Sequence, residues 1–340
     1  IYEMRCQNPA AEAERFCGGE GQPGNVEAAL AGARDIIAEK FSDSAAVRET
    51  LRGMMGSRRI VFKATKAGRE NPQAQKYRSF FDGSELLSKV APHRLLAMLR
   101  AEDEGFISLH IDQDAQKACN KIYYDFCKER RFPAPAVAEQ LRAAIEDAYQ
   151  RLLEPSVSNE LIRSAKEKAD IESIKIFGAN LRQLLLAAPV GQKRLLAIDP
   201  GFRTGCKLVC LDAQGELLHH DVIYPHPPAN EKVKAIQTLS SLIAEYGVEV
   251  IAVGNGTAGR ETEEFLKRVL KPEGCRVFSV SEDGASIYSA SEVAREEFPQ
   301  YDVTVRGAVS IGRRLMDPLA ELVKIDPKSL GVGQYQHDVD

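Results

Sequence analysis

The sequence predicts an α/β protein in which a mainly α-helical region, residues 1–190, precedes a domain with a mixed β-sheet, residues 193–325. Three observations support this division. Apolar residues recur at helical spacing through most of the first region, Pro189 and Gly191 interrupt that pattern, and short apolar runs joined by tight turns begin at Leu195. With 340 residues, 44% of them hydrophobic and 28% charged, the chain can form two or three globular domains.

In the first region, residues 1–25 are rich in glycine and proline and are expected to lack regular structure. Asn25 is placed to cap a helix that begins at Val26. Periodicity predicts further helices over 44–55, 92–103, 137–152 and 161–185, with Ser158 as the cap of the last, and strands over 60–64 and 106–111. The basic, polar stretch 63–76 is expected to be an exposed loop or hairpin tip.

In the second region, three apolar runs separated by short turns predict consecutive strands, over 195–198, 206–211 and 217–224. Helices and strands then alternate, with helices over 230–246, 261–269, 289–297 and 305–323 and strands over 248–253 and 277–280. This order, βββαβαβα, is that of ribonuclease-H-like folds. No Gly-x-Gly-x-x-Gly follows the first strand, which argues against dinucleotide binding.

The charge of the chain limits the binding roles that it can have. The formal net charge is −4, and neither region has the strongly basic character of a dedicated nucleic-acid binder. Nucleic-acid binding would therefore come from local patches or from parts outside this chain. With no membrane-length apolar run and no leader-like start, we expect a cytoplasmic protein without membrane contact. Seven cysteines without metal or redox spacing are expected to be free thiols.

Three carboxylates are candidates for a catalytic and metal-binding site. Asp199 ends the first strand of the second region, Glu282 follows the strand at 277–280, and Asp317 lies among the C-terminal helices. In a ribonuclease-H-like sheet these positions are neighbours. Three converging carboxylates could hold Mg²⁺ or Mn²⁺ and support phosphodiester cleavage.

Each carboxylate also fits a structural role. Asp199 could cap its own turn, and Glu282 could be a solvated loop acid beside Asp283. Asp317 precedes Pro318 as the N-cap of a helix would, and a capping carboxylate is a poorer metal ligand because both roles use the same oxygens.

Candidate nucleic-acid contacts lie close to the predicted strand ends. The glycine-rich loop 254–259 joins a strand to a helix, and its backbone N–H groups, with Arg260, could bind a phosphate; a tight turn is the alternative. The full set of candidates is Arg203, Thr257, Arg260, Arg313 and Arg314, although the last two also fit an exposed helix face. His219, His220 and His226 show no metal-ligand spacing and are expected to be surface or packing residues.

Several long stretches resemble one known family. They are AIDPGFRTG (197–205), YPHPP (224–228), GNGTA (254–258), GASIYSAS (284–291), DPLAELVKIDPK (317–328) and GVGQYQHD (331–338), with VEAALAGARDII (26–37) and HRLLA (93–97) upstream. Together they resemble the bacterial Tex proteins, transcription accessory factors with an RNA-binding role, over nearly the whole chain.

The resemblance implies a YqgF/RuvC-like domain over 193–325, a helical scaffold over 1–190, and a linker over 326–340 toward a helix-hairpin-helix region. It implies a longer protein, with a helix-turn-helix-like region before this chain and an OB-fold RNA-binding domain after it as the main nucleic-acid contact. Expected partners are RNA, structured DNA and the transcription machinery. By position, Asp199, Glu282 and Asp317 match the acids of active RuvC-like relatives, although Asp283 departs from the small residue expected there.

Two functional hypotheses follow. In the first, the chain is the nucleic-acid-interacting, RNA-binding core of a transcription accessory protein, and its nuclease fold is mainly a scaffold. In the second, it is a Mg²⁺- or Mn²⁺-dependent nuclease or resolvase that uses the three carboxylates. An actin-like ATPase would require a related second half that repeats the first strand and its Asp-x-Gly turn, and the sequence shows no such half.

Overall fold

The computed structural model describes residues 1–19, 22–128, 130, 133–270 and 275–331. The chain divides into two compact units, Ile1–Ser173 and Ile174–Asp340, here called unit 1 and unit 2. Most of the predicted linker 326–340 lies outside the described residues. Within the described ranges, no helix combines the length and the hydropathy needed to cross a bilayer.

Unit 1 is mainly helical and contains one small sheet. Its helices are α1 (Pro9–Ala13), α2 (Val26–Asp43), α3 (Ala45–Gly56), α4 (Lys66–Glu70), α5 (Pro92–Asp103), α6 (Ala115–Lys128), α7 (Pro135–Asp147) and α8 (Glu154–Leu185), the last of which continues into unit 2. A π-helical segment, Ala148–Leu153, joins α7 to α8, and 3₁₀ segments cover Glu14–Phe16 and Pro72–Phe80. Asn25 caps α2 as predicted, with Oδ1 accepting from the Ala28 N–H at 2.8 Å.

Three expectations for unit 1 are wrong. Ser158 does not begin a helix, because α8 already starts at Glu154 and the Ser158 hydroxyl donates to the Glu154 carboxylate at 3.0 Å. Residues 63–76 are not a plain loop, since they include the end of a strand, α4 and most of a 3₁₀ segment. The first 25 residues also contain one short helix, α1, which Asn8 caps.

The sheet of unit 1 has the order β2-β1-β3, with β1 (Arg59–Ala64) between β2 (Asp82–Leu86) and β3 (Ile107–Ile111), all antiparallel. Ile60 and Phe62 of β1 are buried, and the aromatic and apolar core on that side includes Tyr77 and Met98. The alternate residues of β1 point to the opposite face of the sheet.

The sheet of unit 2 has five strands in the order β6-β5-β4-β7-β8. The strands are β4 (Leu195–Asp199), β5 (Cys206–Leu211), β6 (Leu217–Ile223), β7 (Val250–Gly254) and β8 (Arg276–Val280). β4, β5 and β6 are antiparallel neighbours, whereas β7 and β8 run parallel to β4. This is the predicted ribonuclease-H-like order.

Helices cover both faces of this sheet. On one face, α9 (Lys232–Tyr246) and α10 (Gly259–Val269) pack against alternate residues such as Leu196 and Ile198. On the other face, α13 (Val303–Met316) packs against Leu195 and Ala197. α13 lies so close to the sheet at Gly312 that a Cβ there would be 2.8 Å from Leu211 and 2.9 Å from Leu195.

The remaining helices are shorter than the sequence pattern indicates. α11 (Ala285–Ala290) and α12 (Glu292–Glu297) replace one predicted helix, and a break at Asp317 separates α13 from α14 (Pro318–Leu322). Tyr288 and Leu322 lie in a small core beside the sheet. A final 3₁₀ segment covers Pro327–Ser329.

Candidate functional site

Three loops of unit 2 lie at one end of the sheet, here called the loop edge: residues 200–205, 255–258 and 281–284. They follow β4, β7 and β8, which are parallel neighbours, so their carboxyl ends point the same way. Ile198 is in register with Val253, and Gly254 with Val280. Ligand sites of α/β sheets form at such an edge.

Asp199 is the last residue of β4 and is half-buried at the loop edge. Burial raises the pKa of its carboxyl above the ordinary 3.8, and the nearby Lys207 ammonium offsets part of that effect. Lys207 lies opposite Asp199 in the β4–β5 register. The environment of Asp199 therefore favours its neutral form relative to a solvated carboxylate.

Glu282 is seated against the glycine-rich loop. Its backbone N–H donates to Oδ1 of Asn255 at 3.3 Å, and its carboxylate approaches Gly256 so closely that a Cβ there would lie 1.5 Å from Oε1. Burial, and then the charge of Asp199, raises the pKa of Glu282, while the Gly256 N–H partly lowers it. Oε2 is buried without a hydrogen-bond partner among the described residues.

Asp199 and Glu282 line the same cavity, of about 290 Å³. Hydroxyl groups contribute most of its other polar lining, from Ser286, Ser289 and Thr304. From α13 the lining residues include Gly307 and Ile311, which carry no carboxylate. The cavity thus presents two carboxylates together with hydroxyl groups.

Asp317 does not join this pair. It lines a different cavity, of about 560 Å³, and its Oδ1 accepts from the Ala320 N–H at 3.1 Å as the N-cap of α14. Across the described ranges, no group of three His, Cys, Asp or Glu side chains is arranged to hold a metal ion. The described residues therefore bring together Asp199 and Glu282 but not Asp317, whose Oδ1 caps a helix.

The two arginines near the end of α13 do not form the expected nucleic-acid surface. Arg314 is only 4% exposed, and one of its amino groups donates to the carbonyls of Ser281 and Asp283, each at 2.8 Å. These two residues flank Glu282, so Arg314 holds the loop that carries it. Arg313 instead donates to the Gly215 carbonyl at 2.9 Å and to the Glu297 carboxylate at 3.1 Å.

The other three candidates are exposed at or beside the loop edge. Arg203 lies in the loop after β4, Thr257 in the loop after β7, and Arg260 in the first turn of α10. Neither arginine has an ion-pair partner in the part of the chain that the structure describes. Phe202, which the sequence reasoning did not select, is 37% exposed beside Arg203. Its position directly after Pro200 and Gly201 was the sequence feature that could have indicated an exposed aromatic residue.

A buried series of polar contacts lies next to the loop edge. His226, 8% exposed, has Nε2 2.8 Å from the Thr262 hydroxyl, which in turn lies 3.6 Å from Sγ of Cys206. The His226 ring lies 5.8 Å from that of Phe202, and burial lowers its pKa, which favours the neutral ring. No sequence spacing indicated this link, because its members are 20 to 56 positions apart.

Two family models match the chain, one in each region. The Tex central region-like model matches residues 5–177, and the Tex protein YqgF-like domain matches residues 193–316.

Curated relatives are similar over nearly all of the chain. It is 44% identical over 332 residues to uncharacterized protein YdcI of Bacillus subtilis, covering 97% of this chain and 46% of that protein. It is 42% identical to transcriptional accessory protein Tex of Neisseria gonorrhoeae, covering 93% and 42%, and 32% identical to the human S1 RNA-binding domain-containing protein 1, covering 91% and 32%. The chain thus spans less than half of each of these relatives.

Proposed function

Because this chain belongs to the Tex protein family, we propose that it is the nucleic-acid-interacting core of a transcription accessory protein, with its ribonuclease-H-like sheet used as a scaffold rather than as a nuclease. The names of the relatives support this proposal, since one is called a transcriptional accessory protein and another an S1 RNA-binding domain-containing protein. RNA is the proposed nucleic acid, and the transcription machinery the proposed partner.

One observation carries the proposal: Arg203 and Arg260, both exposed and without ion-pair partners in the described residues, follow neighbouring strands, and the exposed Phe202 adjoins Arg203. Arginine side chains contact phosphate oxygens, and aromatic rings stack on unpaired bases. The loop after β4 is closely packed, since a Cβ on Gly201 would lie 2.8 Å from the Gly205 carbonyl oxygen. The Phe202 ring also contacts the ring of His226, which the buried contact with Thr262 fixes in place.

The scaffold part of the proposal follows from the carboxylates. The residues lining the cavity include Asp199 and Glu282 but no third acid, and Oδ1 of Asp317 is used in a helix cap. Arg314 places its charge against the backbone of the Glu282 loop rather than toward a substrate. Two-metal phosphodiester hydrolysis needs more carboxylate ligands than this cavity supplies.

A binding titration tests the proposal. Fluorescence anisotropy with a labelled 20-nucleotide single-stranded RNA, repeated across salt concentrations, should give binding that weakens as salt rises. Replacing Arg203 and Arg260 by alanine should weaken binding about tenfold and reduce the salt slope by about 1.5, since each phosphate contact contributes roughly 0.7–0.9. Phe202→Ala should weaken binding with little change in that slope.

Two exposed cations of the same unit provide the matched control. Lys234 and Arg268 both have side chains that are 78% exposed, and each pairs with a neighbouring glutamate. Their double alanine variant removes the same charge and should bind like the unchanged chain. Equal losses in both double variants would refute a specific edge, and no salt-dependent binding by the unchanged chain would refute the proposal itself.

A second candidate is a divalent-metal-dependent nuclease. The buried, unpartnered Oε2 of Glu282 beside Asp199 favours it, because Mg²⁺ is often held by one or two carboxylates and several waters. These residues fit one Mg²⁺ or Mn²⁺ ion, which would supply Lewis-acid activation of a phosphate. Cleavage of single strands, hairpins or four-way junctions that requires Mn²⁺ and disappears in Asp199→Asn would favour this candidate over the scaffold.

A further inference from the structure

A strongly basic segment lies in unit 1 and includes none of the residues used above. Residues 58–81 contain seven lysines and arginines and one acidic residue, whereas the whole chain has a net charge of −4. All seven side chains are exposed, and they are Arg58, Arg59, Lys63, Lys66, Arg69, Lys76 and Arg78. These seven residues are called the basic face. Positive charge is therefore concentrated locally in a chain that is acidic elsewhere.

The fold places these charges on the surface of the small sheet and of the segments that flank β1. In β1, Ile60 and Phe62 point into the core, so Arg59 and Lys63 lie on the opposite, solvent-exposed face. The two are about 13 Å apart along the strand, at roughly 3.3 Å per residue. Arg58 directly precedes β1, whereas Lys66 and Arg69 lie in α4. Lys76 and Arg78 lie in the 3₁₀ segment Pro72–Phe80, which packs against the core side of the sheet beside Phe62.

The neighbouring strands add polar groups rather than an apolar patch. The register places Ser108 and Asp82 on either side of Lys63, and Ser84 and His110 on either side of Val61. Ser108 and His110 are exposed. Hydroxyl groups beside lysine and arginine are typical of surfaces that contact a phosphate backbone.

The acidic residues near this surface leave part of its charge uncompensated. Asp82 forms an ion pair with Arg69 at 3.4 Å, and Glu104 forms one with Lys76 at 2.9 Å. Lys63, Lys66 and Arg78 have no ion-pair partner among the residues that the structure describes. Three exposed cations are thus available for an external anion.

We propose that the basic face of unit 1 is a second nucleic-acid-binding surface, which contacts the sugar-phosphate backbone without reading base sequence. The proposal rests on the proposed function in one respect, that the chain binds nucleic acid, but it uses different residues in the other compact unit. Free cations, adjacent hydroxyl groups and an open sheet face fit a repeating polyanion. The half-buried Val61 and Leu86 are the main apolar groups on that face and leave little apolar surface for a protein partner.

The test uses the 340-residue chain and a triple variant, Lys63→Ala, Lys66→Ala and Arg78→Ala. With labelled single-stranded RNA, the apparent Kd should rise about tenfold, and the slope of log affinity against log salt should become less steep by about 2, since each single-strand phosphate contact contributes roughly 0.7. A 20-base-pair DNA duplex should show a loss of the same kind. An RNA of scrambled sequence should be affected equally, because backbone contacts carry no sequence information.

A matched control removes three cations of the same unit that are already in ion pairs. They are Lys117 with Asp114 at 3.3 Å, Lys121 with Asp125 at 2.7 Å and Arg151 with Asp147 at 2.7 Å. This control should keep the unchanged Kd and slope, and circular dichroism of both triple variants should match that of the unchanged chain.

The possible results separate the two proposals. If the Arg203 and Arg260 variant loses affinity and the Lys63, Lys66 and Arg78 variant does not, the basic face is overturned and the loop edge stands. Equal losses of affinity in the triple variant and in its control also overturn the basic face. Polyglutamate that displaces the labelled RNA as well as unlabelled RNA does, at equal total charge, has the same consequence. If the unchanged chain binds neither RNA nor DNA, both proposals fail together.

Discussion

Replacing Gly256 by alanine tests how Glu282 is held against the glycine-rich loop. A methyl group at position 256 would lie 1.5 Å from Oε1 and 2.3 Å from Cδ of Glu282, so the carboxylate has to leave its place. It then loses its interaction with the Gly256 N–H and has to repack, at a cost of about 1.5 kcal/mol. The backbone at 256 has no positive φ, so alanine adds no strain of its own.

The effect of Gly256→Ala on the free energy of unfolding should change sign when the Glu282 side chain is absent. In a Glu282→Ala background the overlapping carboxylate is gone, and a glycine-to-alanine change at a compatible backbone stabilises by about 0.5 kcal/mol because it restricts the unfolded chain. The double-mutant cycle should therefore give a coupling free energy of about 2 kcal/mol.

Urea unfolding followed by far-UV circular dichroism measures this coupling, since the chain has no tryptophan for fluorescence. With a denaturant dependence of about 2 kcal/mol per molar urea, Gly256→Ala should lower the midpoint of the unit 2 transition by about 0.75 M. In the Glu282→Ala background the midpoint should rise by about 0.25 M. An equal loss in both backgrounds would refute the contact.

Three further predictions concern the same unit. Burial raises the pKa of Asp199 above 3.8 and that of Glu282 above 4.5, so their favourable contribution to stability is present below about pH 4 and is lost as pH rises through the raised values. Asp199→Asn and Glu282→Gln should therefore raise the melting temperature at about pH 7 and leave it unchanged near pH 3. The opposite pattern in thermal melts would contradict this assignment. Arg314→Met should lower the free energy of unfolding in urea by about 2–4 kcal/mol, and Arg314→Lys by less, because two carbonyls in the Glu282 loop lose a charged donor. A change below about 0.5 kcal/mol would show that the contacts of Arg314 with this loop do not stabilise the fold. Asp317→Ala should cost about 1 kcal/mol through loss of the α14 cap and leave Mn²⁺ affinity in calorimetry unchanged, whereas a loss of Mn²⁺ affinity would restore Asp317 as a ligand.

Local signals in the sequence were sufficient for much of unit 2. The apolar runs and the turns between them predicted the five strands to within two residues at either end, and the Asp-Pro pair at 317 and 318 indicated a helix N-cap. These features depend on residues close together in the chain, where alternation and capping act directly. The position of Asp199 at a strand end was predicted for the same reason.

Some elements formed against their local preference. β2 contains Asp82, Gly83 and Ser84, which are poor strand formers, and it exists because it pairs with β1 along its whole length. Likewise, α8 begins at Glu154, before Ser158, and its first turn is stabilised by the burial of Val157. Propensity is a weak guide wherever tertiary contacts decide.

The sequence alone determined the order of strands and helices, the residues at the loop edge and the concentration of positive charge in residues 58–81. Only the tertiary structure decided which side chains meet: Glu282 lies against Gly256 and beside Asp199, Asp317 stays with its helix, and Arg314 is buried against a loop more than thirty residues away. The physical reason is that periodicity reports which face of an element is apolar. It does not report where a long polar side chain finds its partner, because that depends on how the elements pack.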